Sequence, residues 1–210
     1  MGLDYTYMLY FKREQLSDVL RGVVDIAESL GPPTHICFPD RVLTLPLQKF
    51  PRCSESNVVQ YDDPEIALST ALIFEEDQAI HNWGHAQQVW DPESAPPRNA
   101  GIKNLVSVGY IYLTIYNDLS MYDPEIILDL KDLVLFEFGT TGTRMSTMFL
   151  YSTSIRKKFT ELLRKYNGVC GLFNDEEKGE VFWLDGKEIC GYIDDVWMSP
   201  DDIAQKLKKR

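Results

Sequence analysis

Several signatures that would assign a chemistry at sight are missing from this 210-residue chain. Its four cysteines, Cys37, Cys53, Cys170 and Cys190, show no Cys-x-x-Cys spacing, so neither a zinc ribbon nor a thioredoxin-type site is indicated. There is no Gly-x-Ser-x-Gly elbow, and nothing recognisable as a triad flanks the three histidines. No window approaches the roughly 18 apolar residues of a membrane span. The N-terminus also lacks the basic region and apolar run of a secretory signal. These absences predict a soluble, cytoplasmic protein whose cysteines are thiols. Met1-Gly2-Leu3-Asp4-Tyr5-Thr6 fits the loose acceptor pattern for N-myristoylation. However, Leu3, Tyr5, Tyr7, Leu9 and Phe11 already account for that stretch as one face of a strand.

Positive charge is also scarce. Lys and Arg number 21 against 32 Asp and Glu, a net charge of -11. A reader of duplex nucleic acid neutralises phosphates with basic side chains, so that class is excluded and a basic partner is favoured. The deficit is uneven: residues 1–100 hold 7 basic and 15 acidic side chains, whereas 101–210 hold 14 and 17. An electrostatic partner is therefore expected to meet the first half.

What is present is ample material for a core, with 44% hydrophobic and 12% aromatic residues. Leu3–Phe11 alternates like a strand, Arg13–Leu30 carries an apolar stripe at helical spacing, and His35–Leu45 reads as two short strands broken at Pro39-Asp40. Met145–Tyr151, Ile155–Tyr166 and Val169–Leu184 repeat that order, the last broken at Asn174-Asp175. Cys37 and Cys170 fall at matching places in the two units and read as core residues. Between the units, Ile66–Phe74 reads as a strand or short helix, Asn104–Tyr116 as a long strand and Asp123–Leu130 as a short helix. Leu133–Phe138 reads as a strand forming a hairpin with Met145–Tyr151. A C-terminal helix from Pro200 is capped by Ser199 or Asp201, and its terminal lysines complement the helix dipole. The expected fold is α+β: a mixed or antiparallel sheet from two strand-helix-strand-strand units, with two long helices on one face. The chain reads as one globular domain over 1–210, or as pseudo-repeated halves, 1–80 and 103–193, joined by a Pro-rich loop, 83–101.

Candidate chemistry lies outside the paired positions. His81 and His85 at i and i+4 have metal-like spacing, and Glu75, Glu76 or Asp77 would add a carboxylate for a divalent transition metal. Against this, Gly84 disfavours a helix, and Asn82 stands where a His-Glu-x-x-His protease has its base. Gly139–Arg144 resembles a phosphate loop in its glycines and hydroxyls, but lacks the Lys-Ser/Thr ending and reads as a hairpin turn. The acidic clusters Asp62-Asp63-Glu65, Glu75-Glu76-Asp77, Asp175-Glu176-Glu177 and Asp194-Asp195 have the donors for Mg or an acid–base pair, but three of the four sit in turn-like contexts, where solvated charge is the ordinary outcome. Tyr110, Tyr112 and Tyr116 share one face of a predicted strand, and Tyr5, Tyr7 and Tyr10 crowd another. If the two strands pair, the rings form a ladder or an interaction face.

The leading functional expectation is a non-enzymatic module that binds another protein through its acidic first half or its tyrosine-rich sheet, an immunity or antitoxin-like role against a basic partner being one form. The alternative is a metal-assisted hydrolase built on His81 and His85. A third is a small-molecule pocket near Trp83 and Trp90.

Overall fold

Two successive strand patterns in the sequence end up at the centre of one large sheet. In the computed structural model, which describes residues 4–28, 31–50, 56–83, 105–119, 130, 132–196 and 198–209, the chain starts with β1 (Thr6–Lys12), a 3-10 turn (Arg13–Gln15) and α1 (Leu16–Val24). Five short strands follow: β2 (Ala27–Glu28), β3 (Thr34–Cys37), β4 (Val42–Leu45), β5 (Gln48–Lys49) and β6 (Val58–Gln60). Next come β7 (Glu65–Glu75), a helical segment α2 over residues 78–83, β8 (Leu105–Tyr116) and β9 (Leu133–Gly139). The remainder is α3 (Thr143–Tyr151), α4 (Thr153–Lys165), β10 (Cys170–Asn174), β11 (Gly179–Leu184), β12 (Lys187–Ile193) and α5 (Pro200–Lys208).

The large sheet is antiparallel, in the order β12-β11-β10-β1-β9-β8-β7-β2, with β5 also on β7. A small sheet, β4-β3-β6, contains the one parallel pairing among the described strands, β3 with β6. Strands from residues 1–80 and 103–193 are thus neighbours within one sheet, β1 lying between β9 and β10.

Alternation along the central strands sends side chains to two different interiors. Tyr7, Leu9, Phe11, Ile111, Leu113, Ile115, Phe136 and Phe138 are buried on one face with α1, α3, α4 and the small sheet. Phe159 of α4 sits there among the rings of Tyr7, Phe138 and Phe149, with centroids 4.5 to 6.1 Å apart. α1 and α4 both feed this cluster, through Leu16, Val19, Leu20 and Val23 and through Ile155, Phe159, Leu162 and Leu163. Their close approach requires Gly22, where an added Cβ would lie 2.4 Å from the Tyr166 ring. Met8, Tyr10, Leu135, Leu172 and Val181 point to the opposite face. There Leu119, Val196 and α5, through Ile203 and Leu207, cover them.

Two sequence expectations are corrected, and one alternative is decided. The first helix stops at Val24 instead of reaching Leu30, because Ala27 and Glu28 pair with Leu72 and Ala71 on the edge of β7 and the Ile26 carbonyl accepts from the Ile73 N–H. Sheet pairing here overrides local helical periodicity. Ile66–Phe74 is strand throughout. Met145–Tyr151 is helix, not strand, so the expected hairpin and the second strand-helix-strand-strand unit are not formed. Its buried residues, Met145, Met148 and Phe149, follow three-and-four spacing, which a strand would split between two faces. Other elements form where expected, including the break between β3 and β4 and the Ser199 cap on α5, whose hydroxyl accepts from the Asp202 N–H. Cys170 is buried, Cys37 half-buried and Cys190 exposed, all as thiols. Residues 123–129 of the expected short helix, all but residue 83 of the Pro-rich loop, and Cys53 lie outside the described residues.

Candidate functional site

The register of the sheet defines the site row by row on the face opposite α4. One row runs Asn174, Thr6, Gly139, Tyr112, Ser69; the next Leu172, Met8, Glu137, Thr114, Ala67; the third Cys170, Tyr10, Leu135, Tyr116, Glu65. Read across, the chemistry changes. In the second and third rows the β10 and β1 end is apolar, with Leu172, Met8, Cys170 and Tyr10 on the α5 side of the structure. The β9, β8 and β7 end carries Glu137, Glu65, Thr114, Tyr112 and a glycine.

That second half forms a trough of about 440 Å³. Its acidic lining is Asp4, Glu65 and Glu137, and among the described residues no Lys or Arg contributes to it. Phe50, carried past β5 by a hydrogen bond from its N–H to the Ala67 carbonyl, leans on Tyr112 with ring centroids 4.9 Å apart at 57°. Both rings are about two-fifths exposed. Gly139 forms part of the floor, and a Cβ placed on it would meet Thr6 Cγ2 at 3.7 Å and Tyr112 Cβ at 3.9 Å, ordinary contact. The trough is therefore roomy at its centre. Burial and then the carboxylates of Glu137 and Glu65 push the Tyr116 phenol well above its ordinary pKa, so the negative field of the two acids reaches the same spot.

Tyr110, Tyr112 and Tyr116 do share a face of β8, opposite Ile111, Leu113 and Ile115. They do not form a ladder with Tyr5, Tyr7 and Tyr10, because β9 separates β1 from β8. Tyr7 is buried on the helical face, where it donates to the Phe149 carbonyl and accepts from Arg156 Nε. Burial, outweighing the Arg156 charge, lifts its phenol to about 12.

The segment proposed to bind metal is arranged otherwise. Asp77 is a joint between two helix starts: Oδ1 accepts from the Ile80 N–H, while Oδ2 accepts from the Ser154 N–H and the Ser152 and Thr153 hydroxyls. Although burial alone would raise it, these four donors hold its carboxyl below the ordinary value. His81 Nδ1 lies 3.1 Å from Glu76 Oε1, and Glu75 is 4.0 Å from Lys157 Nζ. Among the described residues no three His, Cys, Asp or Glu side chains converge as a metal site. Trp83 is exposed on α2 and does not line the trough. His85 and Trp90 lie outside the described residues.

Gly139–Arg144 leads from β9 into α3, not into a strand. Its hydroxyls are used internally: Thr140 Oγ1 is 2.6 Å from Ser146 Oγ and accepts from the Tyr5 N–H, and Thr141 donates to the Tyr110 carbonyl. With Asp4 and Glu137 beside it, the loop faces an environment that repels phosphate.

Asp4, Phe50 and Glu137 escaped the sequence reading. For Glu137 a signal existed: it is the lone charge inside the apolar run Leu133–Phe138. Glu65 was grouped with Asp62 and Asp63, whose turn is a separate feature in which Asp63 accepts from the Gln60 N–H. Comparison with protein-family models, curated proteins and solved structures gives no match. No helix among the described residues is long and apolar enough to cross a membrane.

Proposed function

We propose that the chain is a protein-binding module whose trough receives an Arg- or Lys-bearing segment of a basic partner. The observation that carries this reading is the lining itself, three carboxylates and two exposed rings, with no cation among the described residues that line it. The carboxylates supply charge-assisted acceptors, and Tyr112 and Phe50 supply π faces for a cation. A net charge of -11 adds long-range attraction. An immunity or antitoxin-like role against a basic toxin is the specific form this takes.

The test is titration of the full chain with a fluorescent oligo-arginine peptide at low and high salt. Glu65→Gln with Glu137→Gln weakens binding about three- to tenfold. Asp62→Asn with Asp194→Asn, which removes equal charge elsewhere, leaves it within about twofold. Equal losses from both pairs, or an affinity indifferent to salt, would sink the proposal.

A further inference from the structure

The three carboxylates of the trough do not converge on one point; the strand register sets them in a line. Glu137 and Thr114 are register partners, as are Thr114 and Ala67, and Glu65 stands two residues from Ala67 on the same face of β7. Two strand spacings of about 4.8 Å, combined with a step of about 6.8 Å along the strand, put the Cα atoms of Glu137 and Glu65 about 12 Å apart. On the other side Glu137 partners Met8, and Asp4 precedes Met8 by four residues. The pairing continues past the start of β1, where the Tyr5 carbonyl accepts from the Thr140 N–H. Asp4 therefore lies about 14 Å from Glu137, and both steps run along one diagonal from β1 across β9 and β8 to β7.

Side chains stand roughly perpendicular to a sheet, so the carboxylates keep this separation. Thr6 and Gly139 fill the first gap and Thr114 the second, and Tyr112, the register partner of Gly139, adds a ring beside the first. Among the described residues no ion pair claims Asp4 or Glu65. Lys12, the cation on the same face of β1, stands two rows from Glu137 and does not line the trough. One guanidinium or ammonium thus meets one carboxylate, and a segment that uses all three must carry its cations about 12 to 14 Å apart on one face. An extended chain rises about 3.3 Å per residue and returns to the same face at every second residue, so four residues span about 13 Å on the correct face. A helix rises only about 1.5 Å per residue, which leaves cations four positions apart about 6 Å from one another. We propose, resting on the trough as the site of a basic partner, that it receives an extended segment with a cation at every fourth position, Arg-x-x-x-Arg-x-x-x-Arg, laid diagonally across β1, β9, β8 and β7.

Fluorescence anisotropy titration of the full chain with three Gly-Ser peptides of equal length tests the spacing. Each carries three arginines, separated by one, three or five residues. The three-residue spacing is expected to bind about fivefold or more tighter than the other two, and Glu65→Gln and Asp4→Asn each to flatten that preference. Asp62→Asn with Asp194→Asn leaves it in place. Asp4 and Glu65 are exposed, so their variants remain folded. Equal affinity for the three spacings, or a preference that survives Glu65→Gln, overturns the proposal, while continued binding of oligo-arginine leaves the trough itself as the site. Binding of no peptide, oligo-arginine included, overturns both.

Discussion

Neighbouring residues of β8 and β9 live in different worlds. Phe138, Leu113 and Ile115 are wholly buried under α3 and α4, whereas Glu137, Thr114 and Tyr116, one position away, look into or border the trough. On the covered face a side chain is chosen by what it fills, and hydrophobic volume decides stability. On the open face the backbone ladder is already satisfied by its neighbours, so the side chains carry less of the fold.

The sharpest way to break that comparison is Phe159→Ala. Removing a ring packed against Tyr7, Phe138 and Phe149 should cost about 3–5 kcal/mol in denaturant unfolding. Tyr112→Ala should stay within about 0.5 kcal/mol while weakening peptide binding. Comparable losses would show the two faces to be energetically alike. A smaller effect belongs to the edge of the covered face, where Arg156 lies over the Phe182 ring at 4.6 Å and pairs with Glu180. Glu180→Gln should cost about 1.5–3 kcal/mol, read from the same unfolding curves.

Gly139→Val sharpens the contrast from the other side. The Cβ finds room and the valine methyls enter the trough, so the melting temperature should hold while oligo-arginine affinity falls severalfold. A lowered melting temperature with unchanged affinity would mean that this position belongs to the scaffold.

The smallest expected effect concerns pH. The Asp77 carboxyl is lowered in the folded chain, so the unfolded chain takes up the proton more readily. Its contribution is therefore full above the ordinary carboxylate value, about 3.9, and disappears as pH falls through the lower folded value. Asp77→Asn should give a shallower loss of stability on acidification than the parent. Identical acid limbs would remove Asp77 from the helix joint.

Much of the covered face was legible in the sequence, because burial imposes periodicity. The strand alternation of β1, β8 and β9 and the stripe of α4 follow directly from it. The exceptions are instructive. Ile26 to Glu28 continued a helical stripe but were claimed by the edge of β7, a partner more than forty residues away that local pattern cannot reveal. Met145 to Tyr151 was short enough for its apolar residues to suit either period. The trough was only half legible. Tyr112 and Tyr116 stood out as a stripe on β8, but Asp4, Phe50, Glu65 and Glu137 come from four separate segments that only the strand order brings together.

The position of β1 between β9 and β10 also sets a timetable. Its register partners run from Leu133 to Gly139 on one side and from Cys170 to Asn174 on the other. On a ribosome adding about 5–20 residues per second, β1 waits on the order of ten seconds for both neighbours. Until then Tyr7, Met8, Leu9, Tyr10 and Phe11 form an apolar ribbon with two unpaired edges, flanked by the charges of Asp4 and Lys12. A strand enclosed at the centre of the sheet is thus one the nascent chain must keep for a long time from pairing elsewhere.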